Sequence, residues 1–253
     1  MNQSAIASQL ETLAVRAPSL LVRAVELGTG LVDGYARYDS PLGDVIVTFN
    51  PRGVTSVDLD AGDPEGRFEA RFGRQAAAAL PPRRWQTAIG RAIEQGRPGA
   101  LPVDFGKLSD FQQTILRIAA TIPRGQVRPY SWLAVQAGKP GAARAVGSTM
   151  ARNPVPLIVP CHRVVRSDGR IGNYSLGGPE NKWSLLTWEG AEPGHLEDLA
   201  SNGFRFVGSD TTGVFCHPSC AQARRISDAH IQKFRSKESA DSAGFQPCTR
   251  CRP

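Results

Sequence analysis

The stretch NPVPLIVPCHRVV, residues 153–165, places a thiol, an imidazole and a guanidinium side by side within an apolar segment. Three prolines precede Cys161, and proline restricts the backbone. We therefore expect a stiff, extended approach that fixes where the thiol points. Adjacency alone leaves two interpretations open. Cys161 is either a nucleophile activated by His162 or a small buried core residue, because isolated cysteines are commonly inert.

A helix is expected before this stretch, since Ser109 and Gln112 have the spacing of a capping box and are followed by apolar residues at helical period. Two shorter helices are predicted near 130–137 and 140–151, joined by the turn GKPG. Such a pair favours a helix-turn-helix with Arg144 protruding from its second helix. A tight helix–helix contact in a core explains the small residues of that helix equally well.

The segments upstream and downstream complete the predicted architecture. Short alternating apolar runs separated by SPLG and NPRG predict antiparallel strands. We expect an α+β fold with these parts: a helical lead-in over 1–30, a small antiparallel-sheet domain over 31–103, a helix-turn-helix-containing domain over 104–190, an acidic linker over 191–203 and a small module over 204–253.

The remaining four cysteines form two close pairs near the C-terminal end of the sequence, Cys216 with Cys220 and Cys248 with Cys251. We see no signal peptide and expect a cytoplasmic location, where thiols stay reduced and metal binding is favoured over disulfides. Four thiolates in two pairs suit a tetrahedral zinc ion. A module of about 50 residues with a small core also needs a cross-link such as a bound metal ion to be stable.

The charge is unevenly distributed along the chain. Residues 1–100 carry 11 Lys and Arg against 11 Asp and Glu, whereas residues 101–190 carry 11 against 5. Residues 204–253 carry 8 against 4. Two basic segments favour a polyanionic partner, most commonly nucleic acid, although an ordinary solvated basic surface would look the same. No apolar run is long enough to span a bilayer, and no protein partner is inferred.

The segment NPVPLIVPCHRVV, together with YSWLA, AARAVG, GNYSLGG and KWSLLTWEG, resembles the O6-alkylguanine-DNA alkyltransferases over residues 31–190. These proteins are also called methylated-DNA–protein-cysteine methyltransferases. The resemblance implies single-turnover transfer of an alkyl group from O6-alkylguanine in double-stranded DNA to Cys161, without a cofactor. It leaves O4-alkylthymine open as a second substrate. Residues 126–129, Gln-Val-Arg-Pro, stand where the family often has a glycine-glutamate-valine run.

The resemblance also implies a role for each matching site residue. His162 is implied as a general base acting through a water, and Glu189 as the carboxylate that orients its ring. The implied roles of the others are as follows: Asn153 braces the active-site turn, Tyr130 assists the leaving guanine, Arg144 fills the gap left by the flipped nucleotide, and Tyr174 and Ser175 form a lid over the base.

The C-terminal segments TTGVFCHPSCAQARR and AGFQPCTRCRP resemble the metal-binding domain of the adaptive-response (Ada) proteins. In those proteins the first zinc-bound cysteine, here Cys216, accepts a methyl group from a DNA methylphosphotriester. In this chain the module trails instead of leading, and the regulatory module that usually joins the two parts is absent. Phosphotriester repair, DNA docking and a purely structural zinc site all stay open.

Two other function classes compete with alkyl transfer. An alkyltransferase-like lesion sensor would bind damage without repairing it, but such proteins usually lack the acceptor that Cys161 supplies. A damage-responsive DNA-binding regulator would need a further recognition domain, which the sequence does not show.

Overall fold

The computed structural model describes residues 18–253, so the predicted helical lead-in is described only in part. Helix α1 spans Ser19–Thr29, and residues 1–17 lie outside the described residues. Within 18–253 no helix is both long enough and apolar enough to cross a membrane.

The N-terminal domain is built on a four-stranded sheet of order β3-β2-β1-β4. The elements are β1 Asp33–Tyr38, β2 Val45–Asn50, β3 Gly53–Leu59, α2 Pro64–Phe72, β4 Ala76–Ala78 and α3 Arg83–Gln95. Strands β1, β2 and β3 pair antiparallel, as the alternating pattern predicted. Strand β4 pairs parallel with β1 and was not predicted, because a run of alanines carries no strand pattern of its own.

The second domain carries the NPVPLIVPCHRVV stretch. Its elements are α4 Asp110–Ala119, β5 Arg128–Pro129, α5 Tyr130–Gln136, α6 Ala143–Ala151, a 3₁₀ turn Cys161–Arg163, β6 Val164–Val165 and α7 Gly178–Trp188. The capping box forms as expected: the Gln112 amide donates to Ser109 Oγ, and Gln112 Oε1 accepts from the Ser109 amide. The two domains share one core, which runs from Val47 through Ile115 to Cys161.

Two details of this domain differ from the sequence prediction. Helix α6 begins at Ala143 and not at Pro140, because the Ala142 amide donates to Lys139 O, 2.9 Å away, in the preceding turn. The approach to Cys161 is not extended either. The Val159 amide donates to Val155 O at 2.9 Å, and Leu157 adopts a φ of 70°. The prolines therefore stiffen a compact turn.

The segment predicted as a linker contains helix α8, Pro193–Ser201. Its buried Leu196 packs with Val127, Val165 and Leu186 of the second domain, so much of this segment is part of the packed structure. The acidic composition concealed an amphipathic helix, in which Asp198 faces solvent and the partly buried Glu197 accepts from the Ile171 amide at 2.7 Å.

The C-terminal module is a small sheet of order β10-β8-β7-β9 with one short helix. Its elements are β7 Phe206–Ser209, β8 Val214–Cys216, the 3₁₀ turns Ala223–Arg225 and Asp228–His230, β9 Ile231–Phe234, α9 Lys237–Ser242 and β10 Gln246–Pro247. The sheets of both ends and the helices between them agree with the predicted α+β class.

Candidate active site and metal centre

Cys161 opens the 3₁₀ turn and is only 4% exposed. The Nδ2 of Asn153 lies 3.1 Å from its Sγ and also donates to Val159 O at 2.9 Å. Burial raises the pKa of Cys161, while the hydrogen bond from Asn153 and the charge of Lys182 oppose that rise. The resting group is therefore a thiol that needs a nearby base to lose its proton.

Asn153 also ties together the turn before the thiol. Its Oδ1 accepts from the Val155 amide at 3.1 Å, and its Nδ2 bonds Val159 O at the other end of the turn. One side chain thus closes the loop that carries Leu157 in the left-handed region, a conformation that costs a residue with a Cβ on the order of 1 kcal/mol or more.

His162 and Glu189 form a buried pair. The ring Nε2 lies 2.9 Å from Glu189 Oε1, and both side chains are almost fully buried. Burial alone would raise the pKa of Glu189, but hydrogen bonds from His162 and Arg163 lower it to about 2. Because Glu189 is ionised, Nε2 must carry the hydrogen, and burial lowers the pKa of the ring so that it stays neutral.

This tautomer leaves Nδ1 of His162 as the proton acceptor. Nδ1 is buried and has no hydrogen-bond partner among the described residues. A buried unpaired acceptor costs free energy, and in a reactive centre it marks a group kept free for a proton or a water. The pair therefore presents a neutral base on the residue that directly follows Cys161 in the 3₁₀ turn.

Of the residues expected to contact DNA, Tyr174, Ser175 and Tyr130 lie near this centre, whereas Arg144 lies on an exposed helix face. The rings of Tyr174 and His162 pack edge to face, with their centroids 6.1 Å apart. The buried hydroxyl of Tyr174 has no hydrogen-bond partner among the described residues. The hydroxyl of Ser175 favours the thiolate of Cys161. Tyr130 opens α5 and is half-buried, and burial together with the Cys161 thiolate raises its pKa. Arg144 is exposed near the start of α6.

The four remaining cysteines converge at the C-terminal module. The Sγ atoms of Cys216, Cys220, Cys248 and Cys251 all lie within 4.8 Å of one another, and all four residues are buried. They are free thiols and not disulfides. Hydrogen bonding from Cys216 lowers the pKa of Cys220, which favours a thiolate within the cluster.

A buried arginine supports the fit of zinc to these four sulfurs. Arg128 is only 3% exposed, yet among residues 18–253 it makes no ion pair with a carboxylate. The negative charges that act on it are those of the four cysteines. A zinc ion with four thiolates has a net charge of −2, which gives this guanidinium the partner that a buried charge requires.

Comparison with known proteins assigns both parts of the chain. Residues 110–191 match the family described as 6-O-methylguanine DNA methyltransferase, DNA binding domain, and residues 196–253 match the metal binding domain of Ada. A mouse methylated-DNA–protein-cysteine methyltransferase is 46% identical over 198 residues, covering 69% of this chain and 88% of the mouse protein.

The chain belongs to the methylated-DNA–protein-cysteine methyltransferase family. The relative from Methanosarcina barkeri is 33% identical over 56% of this chain and 89% of its own length. The match to the rat relative, at 47% identity, spans only 49% of that protein. The structure of Mycobacterium tuberculosis OGT in complex with DNA aligns with a TM-score of 0.50 and 29% identity, covering 65% of this chain and 99% of that chain. The family resemblance predicted from the sequence is thus confirmed, and the C-terminal module is a zinc-binding domain of the Ada type.

Two buried charged residues in this family member were given no role by the sequence analysis. Arg163 is 1% exposed and donates two hydrogen bonds to the Glu189 carboxylate, from Nε to Oε2 at 2.9 Å and from Nη2 to Oε1 at 2.6 Å. Its Nη1 donates to Ile122 O at 2.8 Å. Lys182, also 1% exposed, donates to Val164 O at 2.6 Å, and burial lowers its pKa to about 8. The spacing of Lys182 to Leu185 and Leu186 was the signal available in the sequence, since all three lie on one buried face of α7.

Proposed function

We propose that this protein repairs DNA by direct reversal, moving an alkyl group from O6-alkylguanine in duplex DNA to Sγ of Cys161. The observation that carries the proposal is the buried set of Cys161, His162 and Glu189. The Glu189 carboxylate accepts a hydrogen bond from Nε2 of His162, which leaves Nδ1 of the same ring free in a buried site. A thiol beside a neutral, oriented imidazole is the arrangement that nucleophilic catalysis requires.

The reaction balances with the groups at hand. Nδ1 of His162 takes the thiol proton through a water, and the Sγ–carbon bond forms as the carbon–O6 bond breaks. The electron pair of the broken bond stays on the guanine, which gains a proton, and the hydroxyl of Tyr130 assists that step by hydrogen bonding. The thioether product has no easy hydrolytic exit, so each chain acts once.

The substrate base has to leave the duplex to reach a thiol that is 4% exposed. Flipping a nucleotide costs a few kcal/mol. We assign Arg144 on α6 to the gap that the flipped base leaves, and Tyr174 with Ser175 to the wall over the base. The basic balance of residues 101–190 supplies attraction for the phosphates.

The test is restoration of guanine in an oligonucleotide duplex that carries one O6-methylguanine, followed by nucleoside chromatography. The wild-type protein is expected to convert at most one lesion per chain. Cys161→Ser keeps the size of the side chain but is a far weaker nucleophile, and it should convert none. Conversion by the serine variant at the wild-type rate would remove Cys161 from the mechanism.

A second transfer at Cys216 is supported by the surface around the zinc site. Cys216 and Cys248 line an open cleft of about 510 Å³ together with Arg225 and Arg250. Two guanidiniums beside a zinc-bound sulfur suit a phosphotriester flanked by charged phosphates. In this step the sulfur–carbon bond would form as the bond between the methyl carbon and the phosphate oxygen breaks, which leaves an ordinary phosphodiester anion. The four-cysteine cluster would lose one negative charge, which strengthens its attraction to DNA.

The second transfer is tested with duplex DNA carrying a methylphosphotriester and no base lesion. Zinc-loaded protein should gain one methyl group on the peptide that holds Cys216. Arg250→Ala should slow the gain, whereas Arg235→Ala, outside the cleft lining, should not. An unmodified Cys216 peptide after prolonged incubation would leave the module a docking or structural role only.

A further inference from the structure

The zinc module contacts the alkyl-transfer domain through specific polar bonds. The Oγ of Ser219, which is buried, accepts from the Val127 amide at 2.8 Å and donates to Val127 O at 3.2 Å. The indole Nε1 of Trp132 donates to Cys251 O at 3.0 Å. Cys251 belongs to the four-cysteine cluster, so this hydrogen bond links α5 directly to a residue of the metal site.

A second contact reaches the carboxylate of the active site. Arg224 donates from Nη2 to Gly125 O and from Nη1 to Gly190 O, each at 3.0 Å. The Gly125 amide in turn donates to Glu189 Oε2 at 3.1 Å. Gly125 has a φ of 71°, and a Cβ there would lie 2.7 Å from Glu189 O, so only glycine fits this close approach.

Arg128 joins the two contacts. Its guanidinium donates to Val127 O and to Gln126 Oε1, both at 2.8 Å, and lies in the field of the four cysteines. The segment from Gly125 to Arg128 is therefore held by the module at Gly125, Val127 and Arg128. It leads directly into Pro129 and Tyr130, the residue assigned above to the leaving guanine.

We propose that the C-terminal zinc module braces the alkyl-transfer site: through Arg224, Ser219 and the charge of the zinc cluster on Arg128 it fixes segment 125–130 and so positions Glu189 and Tyr130. Arg224 and Ser219 are positioning residues, since neither touches the reacting atoms. The effect on alkyl transfer rests on the proposed function, whereas the bracing itself is a property of the folded chain. Loss of zinc should therefore loosen a segment outside the zinc module.

The test compares Arg224→Ala with Lys233→Ala in the full, zinc-loaded chain. Lys233 is an exposed cation on β9 of the same module, outside the cleft beside Cys216. Both substitutions remove one positive charge, but only Arg224 bonds Gly125 and Gly190. Hydrogen exchange of the peptide covering 124–132 is measured by mass spectrometry without DNA. The rate of methyl transfer to Cys161 is measured with a saturating concentration of duplex DNA that carries O6-methylguanine. The affinity for DNA is measured separately.

Arg224→Ala should raise exchange in 124–132 and lower the transfer rate, each about fivefold, the size of the single hydrogen bond that it loses to this segment, at Gly125 O. Zinc content and DNA affinity should match those of Lys233→Ala, and Arg224→Lys should restore part of the transfer rate. Equal exchange and equal transfer rates in the two alanine variants would overturn the brace. If the wild type transfers no methyl group, the proposed function fails, while the exchange data still decide the brace.

A second pair covers the case in which Arg224→Ala does not fold. Ser219→Ala removes both bonds to Val127, and Ser242→Ala makes the same change at an exposed site of α9. Only Ser219→Ala should raise exchange in 124–132. Stripping zinc from the wild type with a chelator should do the same, and an increase confined to 204–253 would contradict the inference.

Discussion

Glu189 connects the buried His162 to the rest of the structure. It accepts from His162, Arg163 and the Gly125 amide at once, which holds its pKa at about 2 against an ordinary value of 4.5. Such a network is strong when it is complete, and removing one member leaves a buried charge without a partner. Glu189 therefore serves both the orientation of His162 and the stability of the domain.

Glu189→Gln should reduce the rate of methyl transfer by about a hundredfold or more, because His162 loses the carboxylate that fixes its tautomer. Unfolding should also become easier by about 3 kcal/mol, since Arg163 is left as an unpaired buried cation. Single-turnover kinetics and urea titration measure the two effects. Glu192→Gln, an exposed site nearby, is the matched control and should change neither.

The same carboxylate predicts a pH dependence of stability. Its pKa is lower in the folded chain than in the unfolded chain, so its contribution is complete above about pH 4.5 and is lost as the pH falls towards 2. The drop corresponds to about 3 kcal/mol. The gap between the urea midpoints of the wild type and Glu189→Gln should narrow as the pH falls from 5 to 3 and close near pH 2. A constant gap between them would show that Glu189 is not ionised in the folded state.

At the residue scale the sequence predicted the candidate reactive groups but not the buried charges that hold them. Cys161, His162 and Glu189 could be named because a family motif marks them. Arg163 and Lys182 could not be assigned, because local pattern does not distinguish a solvated cation from one buried against carbonyl oxygens. Only the folded chain brings Ile122 and Val164 to these cations.

Helix α8 shows how an element can be missed. Its residues are acidic and begin after turn-forming residues, yet Leu196 is buried beside Val165 and Leu186. Leu196→Ala should lower the free energy of unfolding by about 2–4 kcal/mol through the lost contacts and the cavity. Leu80→Ala, at a site that is 82% exposed, should have almost no effect. A neutral Leu196→Ala would favour the original interpretation as a linker.

Helix α6 carries the prediction for DNA. Arg144→Ala should slow methyl transfer on duplex DNA by about tenfold, because nothing then offsets the cost of the flipped base. The effect on a single-stranded substrate should be clearly smaller, since no stack is opened. Arg152→Ala, an exposed arginine directly after the same helix, controls for lost charge. Equal slowing on both substrates would argue against insertion into the stack.

Elements with local signals were predicted best. The capping box at Ser109 and the antiparallel strands β1 to β3 depend on neighbouring residues, and both formed as expected. Strand β4 and the turn before Cys161 depend on distant partners: β4 exists because β1 is beside it, and the turn closes through the side chain of Asn153. The prolines indicated that the segment before Cys161 is stiff, but they did not indicate the path that its backbone takes.

At the scale of the whole molecule the two modules are joined by direct contacts. The hydrogen bonds from Ser219 and Arg224 cross between them, and the negative charges that act on Arg128 are those of the four cysteines. The sequence predicted each module through its own motif. The contact between them was beyond sequence pattern, because Gln126 to Pro129 carry no sign of what covers them.

Removal of zinc should therefore affect the entire chain. The zinc-loaded protein is expected to unfold in one cooperative thermal transition, since ligand binding stabilises the folded state and the modules share an interface. Chelation should lower the midpoint of the alkyl-transfer domain as well as melt residues 204–253. Calorimetry with and without chelator measures this. A transition of the alkyl-transfer domain that is unchanged by chelation would show that the modules are independent.

The most direct test of the central claim is the intact mass of zinc-loaded protein before and after incubation with excess duplex DNA that carries O6-methylguanine, followed by peptide mapping. The account predicts a gain of one methyl group on the peptide that holds Cys161, no further gain with time, and no gain in Cys161→Ala. Tight binding to the lesion with an unchanged mass, or a methyl group on any other residue, would contradict it.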